Sequence, residues 1–337
     1  MIVNYQNAHY GKINKFALIM KDAVKNMNLL GKNKIPFFFL VDFEMRQPLV
    51  IPLSEIDTTG LIYDFSNSRI FPENAVNIEL KKNIVGFRRY KAAFDLVQQH
   101  LCAGNSYLLN LTFPTQIETS HSLEDIFLLC AAKYKLYFPD KFVCFSPETF
   151  VKIFDNFIFS YPMKGTIDEA LPDAKNIILN DEKEIAEHNT IVDLIRNDLS
   201  IVAKEVCLTR YRYIDKIVTN TKSLLQVSSE IKGKLPEDWN EHIGTILEKL
   251  LPAGSVSGAP KKKTLEIIAE AENYYRGYYT GIFGVFDGIS VDSAVAIRFI
   301  EKVSGKYVYR SGGGITVNSN VHSEYNEMID KIYVPVN

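Results

Sequence analysis

Several features that mark common functional classes are missing from this sequence. Cysteine is scarce: Cys102, Cys130, Cys144 and Cys207 are scattered without C-x-x-C spacing, which suits a reducing, cytoplasmic setting. No charged segment followed by an apolar run opens the chain, so no secretory leader is expected. No apolar stretch approaches the roughly 18 to 20 residues that a bilayer span needs, and no membrane partner is expected. A basic surplus is absent too: 38 Lys and Arg stand against 40 Asp and Glu, giving a net charge of -2 and a pI near 6.3. That balance leaves no field to attract nucleic acid. There is no G-x-G-x-x-G after a strand, no G-x-x-x-x-G-K-[ST] and no H-E-x-x-H, which removes the usual dinucleotide, P-loop and zinc-protease readings. Internal repeats, low-complexity tracts and linkers are likewise missing.

What is present is a chain of 337 residues, 47% hydrophobic and 23% charged, long enough to bury a large core. Length alone suggests about two domains, but without a linker one compact body with two lobes is the better expectation. Residues 36–41 read as a buried strand, 87–103 as a helix stopped at Gly104-Asn105, and 107–112 as a strand. A helix is expected over 123–137, then a hairpin of 142–145 with 149–161 broken by Ser146-Pro147-Glu148. Asp181 with Glu184 three residues on has capping-box spacing and opens a helix over 181–199. A helix near 241–250, a Gly/Ser-rich loop over 252–261 and a helix over 261–272 follow. Strands are expected over 281–286, 293–301 and 306–311, the last closing at Gly312-Gly313-Gly314, and a helix over 322–333 ends the pattern.

Three groups of residues could carry chemistry. Lys164 sits in Pro162-Met163-Lys164-Gly165-Thr166, a bend directly after a strand-like alternation. It is either a strand-end lysine reaching solvent or an amine held in a cleft, and as a nucleophile it needs burial or a neighbouring cation to shed its proton. Glu184 and Glu187 share one helix face, as do Glu324 and Glu327 on the last helix. On spacing alone each pair is an ordinary solvated face. If the pairs converge, four carboxylates suit a hard divalent cation such as magnesium. Lys331, four residues after Glu327, is either its intrahelical partner or, with Arg298 and the Gly312 to Gly314 amides, part of an anion site. Arg298 is alternatively a partner for Glu301.

Taken together and in order, Ser146-Pro147-Glu148, PMKGT at 162–166, AEHNTIVDLIRNDLS at 186–200, AGSVSGAPKKKTLEII at 253–268, RGYYTGIFG at 276–284, AIR at 296–298 and GGGITVNSNVHSEYNEMIDK at 312–331 resemble the chorismate-utilising enzymes. That group includes anthranilate synthase component I, aminodeoxychorismate synthase component I, isochorismate synthase and salicylate synthase. The resemblance covers about the last 240 residues. It implies an α+β fold of two lobes, with large, mainly antiparallel sheets and outer helices. Residues 86–337 would form the chorismate-binding catalytic region and 1–85 a reduced amino-terminal part.

The resemblance also implies roles. Glu187 and Glu327 would be direct Mg2+ ligands, with Glu184 and Glu324 acting through water. Gly313, Gly314, Thr166, Tyr279, Arg298 and Lys331 would bind the substrate's carboxylates and ring. A lysine in the P-x-K-G-T bend marks the aminodeoxychorismate branch, in which chorismate and ammonia give 4-amino-4-deoxychorismate for 4-aminobenzoate and folate. Lys164 would add to the ring while Glu148 protonates the departing hydroxyl. Leu108 stands where water-adding branches have a lysine, which argues against water activation. The chain departs from the pattern in having Gln226 where the family has a histidine, and in lacking a Leu-Leu-Glu-Ser run, so tryptophan feedback is not expected. With no Gly-x-Cys-x-Gly elbow, ammonia is expected from solution or from a separate glutaminase subunit. The rival readings are anthranilate synthase component I and a weakly active, ligand-binding partner subunit of a glutaminase.

Overall fold

The computed structural model describes residues 16–66, 78–218 and 223–336. Among these residues the strands are β1 Phe37–Val41, β2 Leu49–Pro52, β3 Ile62–Asp64, β4 Lys81–Asn83, β5 Leu108–Glu118, β6 Tyr134–Phe138, β7 Phe142–Ser146, β8 Thr149–Phe154 and β9 Phe157–Ser160. They continue with β10 Met163–Asp168, β11 Lys204–Val218, β12 Ser223–Lys234, β13 Gly258–Ala259, β14 Ile282–Phe286, β15 Val291–Val295, β16 Phe299–Val303 and β17 Lys306–Ile315. The α-helices are α1 Met20–Lys32, α2 Phe87–Cys102, α3 Leu123–Leu129, α4 Ala174–Asn180, α5 Glu182–Ser200, α6 Ile243–Leu250, α7 Gly254–Ser257, α8 Lys261–Glu272 and α9 Val321–Asp330.

Two antiparallel sheets face each other, with helices on their outer sides. In the first, β11 pairs with β12; β9 and β10 both pair with β12, and the order continues through β8, β15, β14, β1 and β2. In the second, β13 and β4 pair with β5, followed by β17, β16, β7, β6 and β3. β1 explains the layering. Phe37, Phe39 and Val41 pack under α1 and α6, while Phe38 and Leu40 face Tyr134, Phe138, Phe142 and Phe299 across the sheets. A strand covered on both faces needs a continuous apolar run, and this one has it. α2, α8 and α9 cover β5 and β17 from outside through Val97, Ile267, Met328, Leu111 and Ile315. This is the expected α+β arrangement of antiparallel sheets with outer helices.

Four local expectations are corrected. The helix expected over 123–137 ends at Leu129, and 134–138 is strand β6. Its burial alternates, with Tyr134, Leu136 and Phe138 buried and Lys135 and Tyr137 less so, a period of two rather than 3.6. Residues 142–145 and 149–161 are not one hairpin: β7 lies in the second sheet and β8 and β9 in the first, so Ser146-Pro147-Glu148 is a crossing between sheets. The strand expected over 293–301 is likewise two, β15 and β16 in different sheets, and Arg298 at φ +54° sits at the crossing. Gly312 to Gly314 do not close a strand; β17 runs through them to Ile315, paired with β5.

Candidate active site

The two crossings, the start of β10, the glycines of β17 and the faces of α5 and α9 surround one cavity of about 1080 Å3. Glu148, Lys164, Thr166, Glu184, Glu187, Tyr279, Arg298, Gly313, Gly314, Glu327 and Lys331 all line it. Glu324 does not; it is buried behind the wall, where it accepts a hydrogen bond from Ser319 Oγ at 2.8 Å.

Lys164 is aimed by a bulge. The β10–β12 ladder shifts register between Met163 and Thr166, and Gly165 has φ +83°, which other residues rarely adopt. A Cβ at 165 would come within 2.8 Å of Glu184 Oε2, so glycine also leaves room for a carboxylate. Lys164 Nζ lies 2.7 Å from Glu187 Oε2. Lys183 approaches the other Glu187 oxygen at 3.6 Å. The expected capping box is half formed: Asp181 Oδ1 accepts from Glu184 N at 3.0 Å. The Glu184 carboxylate instead faces β10, and its Oε2 is buried without a hydrogen-bond partner.

From the opposite wall, Lys331 Nζ lies 2.7 Å from Glu327 Oε1 and donates to Gly312 O at 2.9 Å. The intrahelical pair therefore exists, but it is joined to the glycine strand. A Cβ on Gly313 would stand 3.6 Å from both Glu324 Oε2 and Glu327 Oε1 and 3.8 Å from Lys331 Nζ. Arg298 Nη1 donates to Lys331 O at 2.6 Å, and its guanidinium lies 4.6 Å from the centre of the Tyr333 ring. Glu301, the alternative partner, pairs with Arg310 instead. Tyr279 is buried beneath these groups.

The charges are strongly coupled. Burial works against the Lys164 ammonium, but Glu187 chiefly, with Glu327 and Glu184, outweighs it and holds Lys164 above the usual lysine range. Burial lowers Lys331 despite its Glu327 partner. Burial raises Glu184 and Glu324, whereas Lys331 and Lys164 hold Glu327 below the usual carboxylate range against its own burial. Glu148 stands apart from this cluster. Burial raises its carboxyl, and the Ser255 hydrogen bond and the Lys331 charge oppose the rise. Ser255 Oγ donates to Glu148 Oε1 at 2.5 Å.

Carboxylate donors and the orphaned Glu184 oxygen fit a hard divalent cation chemically. Among the described residues, however, no three His, Cys, Asp or Glu side chains are gathered closely enough to hold a metal as they stand. The Lys164 ammonium interacts with the glutamates there instead.

Two contributors escaped the sequence reading. Ser255 lies 107 positions from Glu148, and nothing local announces that contact. Arg276 is buried and donates to Val256 O at 2.8 Å and Asn110 O at 2.5 Å, both from residues that line the cavity. Its i,i+4 spacing from Glu272 was a readable signal.

A profile of the family described as chorismate binding enzyme matches residues 54–337. A Haemophilus influenzae protein named "Uncharacterized PabA-like protein" is 52% identical over 319 residues, covering 94% of this chain and 97% of that protein. Aminodeoxychorismate synthase component 1 of Bacillus subtilis is 30% identical over 304 residues, covering 84% of this chain and 62% of that protein. Anthranilate synthase component 1 of Archaeoglobus fulgidus is 36% identical over a shorter 190 residues, covering 56% of this chain and 45% of that protein. The structure of anthranilate synthase component I from Streptococcus pneumoniae matches with a TM-score of 0.67 at 21% identity, covering 88% of this chain and 79% of that one. This last likeness speaks to fold alone. No helix among the described residues is long and apolar enough to cross a membrane. With a family profile spanning most of its length, the chain belongs to the chorismate binding enzymes.

Proposed function

We propose that this enzyme is an aminodeoxychorismate synthase component I, which joins chorismate and ammonia to give 4-amino-4-deoxychorismate. The observation that carries the reading is Lys164, seated 2.7 Å from Glu187 in the cavity that also holds Glu148, Arg298 and Lys331. The printed name of the Bacillus subtilis relative supports the same branch. Lys331, Arg298 and the glycine strand offer positive charge and backbone amides to the two carboxylates of chorismate. Tyr279 and Thr166 complete the walls around the ring.

Lys164 must first give up its proton, and Glu187 is within reach to take it. The neutral amine then adds to the ring and displaces the 4-hydroxyl. As the new carbon–nitrogen bond forms, the bond between carbon 4 and its oxygen breaks and Glu148 supplies a proton, so water leaves rather than hydroxide. Ammonia next bonds to carbon 4, and the Lys164 amine departs with its electron pair. Covalent attachment splits one difficult substitution into two easier ones. Glu187 and Glu327, with Glu184 and Glu324 behind water, would hold a magnesium ion, whose charge would draw electron density toward the ring carboxylate. Ammonia is supplied in solution or by a separate glutaminase subunit.

The deciding experiment incubates the purified chain with chorismate, magnesium and ammonium and identifies the product by mass. The expected product retains the enolpyruvyl group and gains an amino group in place of a hydroxyl. Anthranilate as the product would overturn the assignment in favour of the anthranilate synthase reading, which the Archaeoglobus fulgidus relative keeps in play.

A further inference from the structure

Lys164 and Glu187 belong to different elements, β10 and α5, and their contact lasts only while those elements keep their spacing. Ser229 on β12 touches α5 and the residue just before β10. Its amide N–H donates to Pro162 O at 2.9 Å, two residues before Lys164. Its hydroxyl lies 2.7 Å from Nε2 of His188, the residue after Glu187. The same hydroxyl accepts the Arg212 amide N–H at 2.9 Å. Arg212, at φ +44°, sends its guanidinium to the carbonyls of Ile178 at 3.0 Å and Leu179 at 2.9 Å on α4, the helix before α5.

Ser229 and His188 are both fully buried. His188 Nδ1 is buried with no hydrogen-bond partner, an arrangement that costs stability. A position that served packing alone would do better with an apolar side chain of similar volume. Local rules of this kind are broken where a site requires it.

We propose that Ser229 and His188 are positioning residues: their hydrogen bond ties α5 to the β9–β10 junction and so fixes the Glu187 carboxylate against the Lys164 amine. Neither side chain touches the substrate in this scheme. The inference rests on the reading of Lys164 as the nucleophile, and its test separates the two.

Ser229→Ala is the primary variant, since it keeps the backbone N–H hydrogen bond to Pro162 O and removes only the hydroxyl. His188→Leu removes the imidazole, and His188→Gln returns a polar group near the place of Nε2. Two readouts are taken on the full chain, with thermal midpoints beside them. One is steady-state turnover of chorismate with ammonium and magnesium. The other is acetylation of Lys164 by acetic anhydride at one pH, mapped by peptide mass and normalised to the exposed Lys91. Ser229→Ala and His188→Leu should lower kcat by about 10- to 100-fold while KM stays within about twofold, the scale expected when a reacting group is displaced by about an ångström. Both should change Lys164 labelling relative to Lys91, and His188→Gln should return both readouts toward native. The proposal is overturned if Ser229→Ala leaves kcat or the Lys164 labelling ratio as in the native protein. It is also overturned if all lysines gain label together as the thermal midpoint falls, because the role is then merely structural. Labelling needs no turnover, so a native enzyme that makes a different product would sink the proposed function while the positioning claim is still decided.

Discussion

Replacing Arg276 by methionine should expose how much the cavity floor depends on one buried charge pair. Arg276 and Glu272 are 1% and 2% exposed. Arg276 Nε donates to Glu272 Oε2 at 2.9 Å and Nη2 to Oε1 at 2.6 Å. Oε1 also accepts Thr112 N at 2.8 Å and Thr112 Oγ1 at 2.9 Å. In Arg276→Met the Glu272 carboxylate keeps its Thr112 bonds but loses its counter-charge in a dry setting. Breaking a buried pair from one side costs about 3–5 kcal/mol. The carbonyl of Asn110 loses its Arg276 donor and that of Val256 keeps only Asn110 Nδ2 at 3.2 Å, which adds to the loss. With an unfolding entropy of roughly 2.1 cal/mol/K per residue, a chain of this length has about 0.7 kcal/mol/K, so a loss of about 4 kcal/mol lowers the midpoint by about 6 °C.

The assay is thermal and urea unfolding of the native protein, Arg276→Met and the double variant Glu272→Gln/Arg276→Met. The glutamine oxygen can still accept from Thr112 and carries no charge, so the double variant should recover most of the loss. Such recovery is the signature of coupling between neighbours. A single variant that melts within about 1 °C of native would refute the argument, given the shift derived above. So would a double variant less stable than the single one, since uncompensated charge would then not be the cause.

Lys164→Ala should abolish ammonia-dependent product formation while chorismate binding survives, and Glu148→Gln should lower kcat by about 10²- to 10⁴-fold; turnover and equilibrium binding measured side by side check both. Glu148 acts in its protonated form, so activity should fall as pH rises through its carboxyl, already raised by burial. Ser255 donates to the carboxylate and favours ionisation, so Ser255→Ala should move that alkaline limb of the pH–rate profile to higher pH; a shift to lower pH would contradict the assignment. Gly312→Ala places a Cβ 2.4 Å from Leu111 O and should destabilise the fold by about 1–3 kcal/mol, as overpacking does. Gly313→Ala meets nothing closer than 3.6 Å and should melt as native yet raise KM for chorismate, because the methyl occupies the space beside Glu327 and Lys331.

Much of the local structure was legible. The continuous apolar run at 37–41 read as a strand because burial on both faces leaves no polar position. The start of α5 was set by Asp181, whose side chain does cap Glu184 N. Paired glutamates on α5 and α9 followed from i,i+3 spacing, and the ordered motifs placed the chain in its family before any geometry was known. Other features failed in instructive ways. The stretch 130–137 was absorbed into a helix because α3 and β6 are separated by only a few residues without a strong breaker. Of the two sheet crossings, Ser146-Pro147-Glu148 was read as the bend of one hairpin and 293–301 as one strand, because alternation says which residues face in, not which sheet receives them.

From the sequence alone came the family, the layered α+β class and the kinds of side chain available: an amine, five glutamates, two further cations and a glycine run. Which of them meet was decided only by tertiary structure. Lys164 faces Glu187 because a bulge at Gly165 re-aims the strand end, and Glu148 takes Ser255 as its partner because a sheet crossing brings together residues 107 apart. Glu324 shares a helix face with Glu327 yet lies behind the cavity wall, held by Ser319. Local propensity acts over a few residues, whereas these contacts depend on the register and crossing of whole strands, and chain order alone does not encode those distances.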